Sequence, residues 1–495
     1  MMRSFYNHKE IDALVNEIIR LMPSLEAIFN WEENLPQFSK RINYYCAGLP
    51  HLERQKFFKN KIIEKIKRIF DTEEVDNIKI PIREEQGLAM SITEHHGILD
   101  YEGFISVPMV SYFYRLFDRE EGGDIITFAT GSVSLNEPMR RRGITFHGKK
   151  INLYPKEDKD KIIYGLHIYD FDIVKRLKNN YQWGMFTKEE QNFLENLNEM
   201  IKMIDFSKCK YLGDQITKIN YYLWPLLFEE EIRDDVAKLI NLEYDDIIVD
   251  YLTYVLESEK DSFVYYILFD KQVQEKVLLE LDGIVGAWDS WKGLGTHFFW
   301  GIDENNHRVR LQFEQDCLVD EDKKIRIHFS PESIVYNLRN RQLLPNMFLK
   351  ASLIIFYMGM KPFSGGASLE YLTKMQEKLM EILSVNYPQE VNLICSIPLD
   401  AMNLMVITKG KDKNDNILSL RALDIIGGGG LRKKYFEKIG EVPLKNFILP
   451  GLFLAYDYAM AKYVDSGEKK RFNFTEQDLQ NYLKRYFENE ELIVV

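Results

Sequence analysis

The chain has 495 residues, of which 45% are hydrophobic and 13% aromatic, and it carries a formal net charge of -12. This length predicts roughly two to three domains, and the composition is typical of a packed globular protein rather than a disordered one. The acidic balance disfavours nucleic acid as a partner, because phosphate binding needs a concentrated cationic face.

Four cysteines, Cys46, Cys209, Cys317 and Cys395, stand far apart without a CxxC spacing. This argues against a disulfide framework or a zinc knuckle. The first residues lack the apolar stretch of a signal peptide, and no run approaches the roughly 20 apolar residues of a membrane span. We therefore expect a cytoplasmic protein without a membrane partner, which binds a small-molecule substrate and for which a homodimer is a candidate assembly.

The first third of the chain predicts a βαβ unit. Helical spacing over residues 8–22 and 36–70 leads into a short apolar strand at 88–93. An amphipathic helix at 105–117 and a turn then precede a second buried strand at 124–130. The two strands should be parallel, with their carboxyl ends on the same side of a sheet.

The rest of the chain alternates helical and hairpin patterns. A hairpin is predicted to turn at Gly148, Pro225 should kink or end a helix, and residues 391–396 read as a strand. Two alternating runs separated by residues 303–306 predict a second hairpin, and residues 331–384 read as helical. The fold class is therefore α/β, a Rossmann-like parallel-sheet core with large helical additions. The predicted segments are an N-terminal helical segment (1–75), the first part of the core (76–180), a helical insertion (181–284), the second part of the core with a Gly/Trp-rich hairpin (285–400), and a mixed, mostly helical region (401–495).

Titratable side chains follow the first predicted strand, namely Glu94, His95, His96 and Asp100. Ligands of α/β proteins bind at the carboxyl ends of strands, so this loop is the first candidate site. Adjacent histidines on a regular strand point to opposite faces, which makes one shared metal ion less favourable than acid or base catalysis by one imidazole. A polar loop with purely structural histidines is the alternative.

A second group of polar residues follows the next strand and suits an anion, since hydroxyls, an amide and guanidinium groups bind phosphate or carboxylate. The alternative is a solvated basic loop. The candidate residues of this group are Ser132, Ser134, Asn136, Arg140 and Arg142.

Two further candidate regions lie downstream. Thr296 and His297 stand in a stretch rich in glycine and tryptophan, which resembles a substrate cradle only loosely and lacks a phosphate-loop spacing. The alternative is a hairpin whose tryptophans belong to the core. Arg341 and Gln342 precede an apolar helix. The turn at Gly365-Gly366 opens another helix, whose free N–H groups would suit an anion or serve as an ordinary cap.

Two blocks of the chain resemble the bacillithiol-synthesis enzymes that are thought to add cysteine to a glucosamine-malate precursor. The first block is the strand that breaks at Glu94-His95-His96-Gly97, where the family has Gly-Gln-Gln or Gly-His-Gln. The family's acidic segment after its second strand is replaced here by Gly-Ser-Val-Ser-Leu-Asn, and its long C-terminal coiled coil is not evident. The second block resembles the family at Arg341, Gln342, Pro345, Gly365, Gly366 and Tyr371.

The resemblance implies a Rossmann-like core that binds a nucleotide or a phosphorylated or carboxylated small molecule. We expect a biosynthetic ligase or transferase that forms an amide or C–N bond on a small anionic metabolite, with ATP or ADP as the candidate cofactor. One alternative is a metal-dependent hydrolase that uses His95 and His96, with His147 or His167. The other alternative is a non-catalytic interaction protein.

Overall fold

The computed structural model describes residues 8–29, 31–45, 47–82, 87–139, 142–403, 405–464, 469–487 and 492–494, with backbone alone for residues 8, 90–94, 367 and 403. Its α-helices are α1 (His8–Leu21), α2 (Glu26–Phe29), α3 (Leu35–Asn43), α4 (Leu49–Ile69), α5 (Thr72–Asn77), α6 (Glu102–Ser111), α7 (Arg119–Gly122), α8 (Ile173–Asn179), α9 (Lys188–Met203), α10 (Leu212–Leu223), α11 (Asp245–Ser258), α12 (Phe263–Phe269), α13 (Lys271–Glu280), α14 (Pro331–Arg339), α15 (Met347–Ala351), α16 (Gly366–Leu383), α17 (Pro388–Cys395), α18 (Ala422–Gly427), α19 (Lys433–Glu441), α20 (Leu444–Ile448), α21 (Leu452–Tyr463) and α22 (Glu476–Asn481).

The strands of the described residues are β1 (Ala89–His95), β2 (Ile125–Thr130), β3 (Gly143–Phe146), β4 (Lys149–Asn152), β5 (Leu239–Glu243), β6 (Trp288–Asp289), β7 (Leu294–Gly295), β8 (Phe299–Ile302), β9 (Arg308–Glu314), β10 (Cys317–Asp320), β11 (Arg326–His328), β12 (Leu343–Pro345), β13 (Lys361–Gly365), β14 (Met402–Asn403), β15 (Lys409–Lys411), β16 (Ile417–Ser419) and β17 (Ile493–Val494). A π-helical segment, Ser352–Tyr357, follows α15.

A five-stranded parallel sheet is the centre of the fold, with the strand order β14-β13-β1-β2-β5. Strand β2 is buried along its whole length, as expected for a strand of a parallel sheet, which is covered on both faces. The parallel pairing of β1 with β2, predicted from the βαβ pattern, is confirmed. The chain therefore belongs to the α/β class.

An antiparallel sheet stands beside the parallel one in the order β11-β10-β9-β8-β12. Its β8–β9 hairpin confirms the turn predicted between the two alternating runs around residue 304. The β3–β4 hairpin is also confirmed, and it turns at Gly148, whose φ of 71° lies in the left-handed region that favours glycine. Both turns were readable locally, because hairpins depend on a few turn residues between alternating runs.

The apolar side chains of the described residues form two large clusters that each join distant parts of the chain. One cluster contains Leu14 and Leu452, from helices near the two ends. The other contains Phe58 and Leu379, from α4 and α16. Helix α4 shows why it packs there, since its buried Phe58, Ile62, Ile66 and Ile69 recur at three- and four-residue intervals. The division into five segments stays a prediction.

Several secondary-structure predictions were wrong. Residues 391–396, read as a strand, lie in the helix α17. The segment 181–284 was expected to be helical, yet it contains β5, an edge strand of the parallel sheet. Residues 331–384 were also expected to be helical, yet they contain β13, which pairs with β1. Both strands are only five residues long, which is too short for their period to be distinguished from that of a helix segment.

The helix ends follow ordinary capping chemistry. Thr187 and Glu190 form a capping box at the start of α9. Pro225 stands just after α10 ends at Leu223, as predicted from its missing N–H group. Within the described residues, no helix has both the length and the apolar character needed to cross a bilayer.

Candidate functional site

A cavity of about 230 Å³ lies at the carboxyl ends of β1, β2 and β13. After β1 the chain runs outward through β2 to β5, whereas β13 and β14 extend the sheet on the other side of β1. The sheet order therefore reverses between β1 and β13, which is where ligands bind in open α/β sheets. The cavity is lined by His95, Thr130, Tyr244, Met347, Lys350, Ala351, Ile354, Ile355, Ser364, Ser368, Tyr371, Leu372 and Tyr458.

His95 is the imidazole of this cavity and is held by a buried carboxylate. It is the last residue of β1, and the pairing of β1 with β2 becomes irregular between Ile92 and His95. The His95 Nδ1 atom lies 3.2 Å from Glu137 Oε2, and the His95 side chain is 31% exposed whereas that of Glu137 is 7% exposed. The same Glu137 oxygen accepts the backbone N–H of Met139 at 2.9 Å, which fixes the carboxylate. This arrangement orients a partly exposed imidazole, as in many acid–base catalysts.

A buried lysine forms the second polar wall. Lys350 of α15 forms an ion pair with Asp245 at the start of α11. The ammonium group also donates to Thr130 Oγ1 at 3.0 Å and to Ser132 Oγ at 3.1 Å. It stands 5.6 Å from the centre of the Tyr244 ring, whose face attracts a cation. Lysine is rarely buried unless it is paired. Here the partners of Lys350 stand at the ends of two strands, with Thr130 ending β2 and Asp245 following β5.

Asp245 binds the loop after β2 as well as the lysine. Its Oδ2 atom accepts the Thr130 hydroxyl at 2.9 Å and the backbone N–H groups of Gly131 and Ser132 at 2.7 and 2.8 Å. One carboxylate thus connects the carboxyl ends of β2 and β5 to α15. Thr130 and Lys350 bring this cluster to the wall of the cavity. Its buried charged groups are hydrogen-bonded, so they should resist displacement.

A second cluster of acidic and basic side chains lies next to the Lys350–Asp245 pair, at the end of β5. Glu243 is buried, and burial raises its pKa to about 8. Lys65 of α4 lies 3.3 Å from Glu243 Oε2 and 2.6 Å from Asp246 Oδ1. Arg68 adds ion pairs to Asp214 and Asp246 at 3.1 and 2.9 Å. These contacts attach α4 to the sheet edge beside the cavity.

The N-terminus of α16 faces the cavity from β13. Gly365 caps the helix and Gly366 is its first residue, while Ser364 and Ser368 line the cavity on either side. The Ser368 hydroxyl donates to the Gly365 carbonyl at 2.6 Å. The Gly365-Gly366 turn therefore lies beside the cavity that His95 also lines. The positive end of an 18-residue helix favours a negative charge at this point.

His96 and Asp100, two predicted catalytic residues, have structural contacts instead. His96 is buried, with Nε2 2.9 Å from the Gly213 carbonyl and Nδ1 3.2 Å from Asn241 Oδ1. Asp100 is fully buried and receives Arg421 Nη1 at 2.8 Å. Both side chains therefore join neighbouring elements. The side chain of Glu94 lies outside the described part of the structure.

Of the predicted anion-binding residues that follow β2, only some lie beside the cavity. Ser132 belongs to the lysine cluster, as described above. Ser134 forms an isolated bridge with Ile162, Asn136 is exposed, and Arg142 donates to the Tyr154 carbonyl at 3.2 Å. Arg140 lies outside the described residues. The cation beside the cavity is thus Lys350 rather than Arg142.

The downstream candidates also occupy other places. Thr296 is buried and donates to the carbonyl of Leu311 at 2.9 Å within the antiparallel sheet. His297 accepts the N–H of Phe313 at 3.2 Å, and burial lowers the pKa of His297 to about 4. Their contacts account for both residues as parts of that sheet.

Arg341 and Gln342 lie just after the C-terminal end of α14. The Arg341 guanidinium stacks on the rings of Tyr164 and Tyr211, with its Cζ atom 4.4 and 4.0 Å from their centres. Gln342 is exposed, and its carbonyl accepts the N–H of Ile302 at 2.9 Å. Neither Arg341 nor His96 is among the residues that line the cavity.

A larger and more open cavity of about 800 Å³ lies at the opposite edge of the sheet, where it is lined by Ala89, the first residue of β1, and Ile126, the second residue of β2. Residues 83–86, which join two of its lining residues, lie outside the described part. Its edge carries the amino ends of the strands, where α/β proteins rarely bind ligands. We therefore take the smaller cavity as the candidate site.

The described histidines of the metal hypothesis are not arranged as ligands of one ion. His147 contacts Glu190 at 2.8 Å, and His167 stacks on Tyr211 with ring centres 6.0 Å apart. His95 faces Glu137 and His96 faces a carbonyl. Among the described residues, the group of His, Cys, Asp and Glu that comes close enough for one metal ion is Asp316, Cys317 and His328, in the antiparallel sheet.

Sequence reasoning missed Glu137, Asp245 and Lys350. Lys350 had a signal, since it is a single cation inside the apolar run from Met347 to Met360. Asp245 stands just after β5, much as His95 stands at the end of β1, but the sequence of β5 is predicted to be part of a helix. The residues that pair with these charges come from distant segments, which no local pattern reveals.

The fold and the cavity together define an α/β protein with a small site, lined by polar and apolar side chains, at the reversal of a parallel sheet. Comparison of the chain with protein-family models and with curated proteins gives no match.

Proposed function

We propose that the chain is an enzyme that acts on one small molecule in the cavity at the carboxyl ends of β1, β2 and β13, with His95 as general acid or base. The observation that carries this proposal is the contact of His95 with the buried Glu137 at a topological reversal of the sheet. A carboxylate on Nδ1 favours the tautomer whose Nε2 can take a proton from a bound molecule.

The walls of the cavity support a substrate with one polar and one apolar part. Ile354, Ile355 and Leu372 provide apolar contact, while Ser364, Ser368 and the start of α16 suit a carboxylate or phosphate. A volume of about 230 Å³ lies below the roughly 300–1,000 Å³ of sites for drug-sized ligands, so the cavity suits a single small metabolite.

The proposed reaction is the formation of an amide or C–N bond, as the resemblance to the cysteine-adding enzymes implies. An amine of the molecule held in the cavity would attack an electrophilic carbon of a second substrate. His95 would take the proton from that nitrogen, and the leaving group would depart with the electrons of the broken bond. The sheet order supports a Rossmann-like core as part of this proposal.

ATP or ADP remains the proposed cofactor, but no step is assigned to it. The chain lacks the GxxxxGK[ST] and GxGxxG spacings, and the cavity has room for little more than the small substrate. A nucleotide would therefore need contacts beyond this cavity. A cytoplasmic location, a homodimer and the absence of nucleic acid as a partner are proposed with the same function.

Calorimetric titration of ATP, ADP, amino acids and small dicarboxylates tests the proposal. We expect at least one to bind the wild type, and binding to be lost in Ser368→Leu, which fills the cavity, and weakened in His95→Asn. The control is His167→Asn, which changes an exposed histidine outside the cavity. If none of these compounds binds, the ligase proposal fails. Binding that is unchanged in both cavity variants would place the ligand elsewhere.

A further inference from the structure

The turn between β9 and β10 brings three metal-binding side chains together. Cys317 begins β10, and the antiparallel pairing sets it directly opposite His328, the last residue of β11. Asp316 precedes Cys317 in the turn that follows β9. Residues that face each other across an antiparallel pair have neighbouring side chains, so the register itself places a thiol beside an imidazole.

The ligand atoms are already spaced like the corners of a coordination sphere. The Cys317 sulfur lies 3.6 Å from Asp316 Oδ1, and His328 Nδ1 lies 3.5 Å from Asp316 Oδ2. One donor atom from each residue fits in a group whose members are all within 4.8 Å of one another. Two ligands of a tetrahedral zinc ion, with bonds of about 2.0 to 2.3 Å, are about 3.3 to 3.5 Å apart. The two contacts of Asp316 come close to that spacing, although each uses a different carboxylate oxygen, and donor atoms as far as 4.8 Å apart would approach by up to about 1.3 Å when an ion binds.

We propose that Asp316, Cys317 and His328 form a zinc-binding site at the end of the β9–β10–β11 sheet. A thiolate and an imidazole select zinc over magnesium or calcium, which prefer oxygen ligands alone. The thiolate and the carboxylate balance the charge of a divalent ion. This site is independent of the proposed function, because it lies in the antiparallel sheet and shares no residue with the lining of the strand-end cavity.

The exposed fractions of the three side chains indicate whether a bound ion could exchange with the solvent. The side chains of Asp316 and His328 are 69% and 60% exposed, whereas Cys317 is buried on the sheet. An ion bound by these three residues keeps a fourth position for water, so it can exchange with the solvent. The ion would also connect the ends of β10 and β11, and binding should therefore raise the stability of the sheet.

Cobalt(II) titration of the chelator-treated protein without a histidine tag tests this site, because cobalt replaces zinc and reports thiolate ligation by a near-ultraviolet charge-transfer band. We expect the band to saturate at one equivalent and zinc to remove it. Cys317→Ser should abolish the band, as should His328→Asn, which changes an exposed side chain and preserves the fold. Cys395→Ser, which removes an exposed thiol elsewhere, should retain it.

Two outcomes would overturn the proposal. One is the absence of a charge-transfer band in the wild type at millimolar cobalt. The other is a band that survives Cys317→Ser, which would assign the thiolate to another cysteine. Circular dichroism of each variant separates loss of the ligand from loss of the fold.

Discussion

Replacement of Lys350 by methionine should be among the most destabilising single changes in the cavity wall. Lys350 is 4% exposed and its partner Asp245 is 0% exposed. Methionine retains the length of the side chain but removes the charge, so the Asp245 carboxylate stays buried without its cation. The variant therefore isolates the electrostatic part of the contact.

The expected cost follows from the contacts that remain. Breaking a buried ion pair by removing one partner costs about 3–5 kcal/mol of unfolding free energy. Asp245 retains the hydroxyl of Thr130 and the N–H groups of Gly131 and Ser132, so we expect about 3 kcal/mol, the lower end. The double variant Lys350→Met/Asp245→Asn carries no charge, and it should be more stable than the sum of the single changes by about 2 kcal/mol.

Urea unfolding followed by tryptophan fluorescence measures these differences by linear extrapolation. The matched control is the ion pair of Arg339 with Glu257, whose side chains are 58% and 44% exposed and whose atoms approach to 2.7 Å. Arg339→Met should cost less than about 1 kcal/mol, because water screens an exposed pair. The reasoning is refuted if Lys350→Met costs no more than Arg339→Met, or if the two cavity changes are additive.

Three further predictions concern buried groups. Burial lowers the pKa of Lys409 to about 7, whereas an unfolded lysine titrates near 10.4. The free energy of unfolding of the wild type should therefore rise by about 1.4 kcal/mol per pH unit between about pH 7 and 10. Urea unfolding should show no such rise in Lys409→Met. Gly359→Ala should cost about 1–3 kcal/mol more than Gly148→Ala in the same assay, because both have φ of 71° but only at Gly359 would the new Cβ meet the His51 ring, at 2.2 Å; equal costs would contradict the clash. Burial lowers the pKa of His51 and His297 to about 4. The unfolded chain therefore binds protons that the folded chain does not as the pH drops from about 6.5 to 4, and stability should fall over this range. Thermal unfolding at several pH values should show a smaller fall for His297→Gln than for the wild type.

Much of the local structure was predictable because it depends on neighbouring residues. The apolar run of β2 between a glycine turn and a polar loop identified a buried strand, and the hairpin at Gly148 followed from one turn. The strands β5 and β13 were not identified, since a run of five residues suits a strand or a buried helix equally. Their assignment depends on which partners the folded chain offers.

The candidate site divides in the same way. Placement at the end of a predicted strand was enough to select His95 and Ser132, because the carboxyl ends of parallel strands meet at one edge. Gly366 was selected instead because a glycine-rich turn opens a helix there. It could not distinguish His95 from His96, since adjacent residues on a strand point to opposite faces and only the packing decides which face is the cavity.

The amino-acid sequence by itself therefore determined the α/β class, the βαβ unit and the strand end that carries His95. The tertiary structure alone decided which charges are paired: Glu137, 42 residues away, holds His95, and Asp245, 105 residues away, holds Lys350. The physical reason is that a buried charge is stable only beside a partner, and chain folding, rather than chain order, supplies that partner.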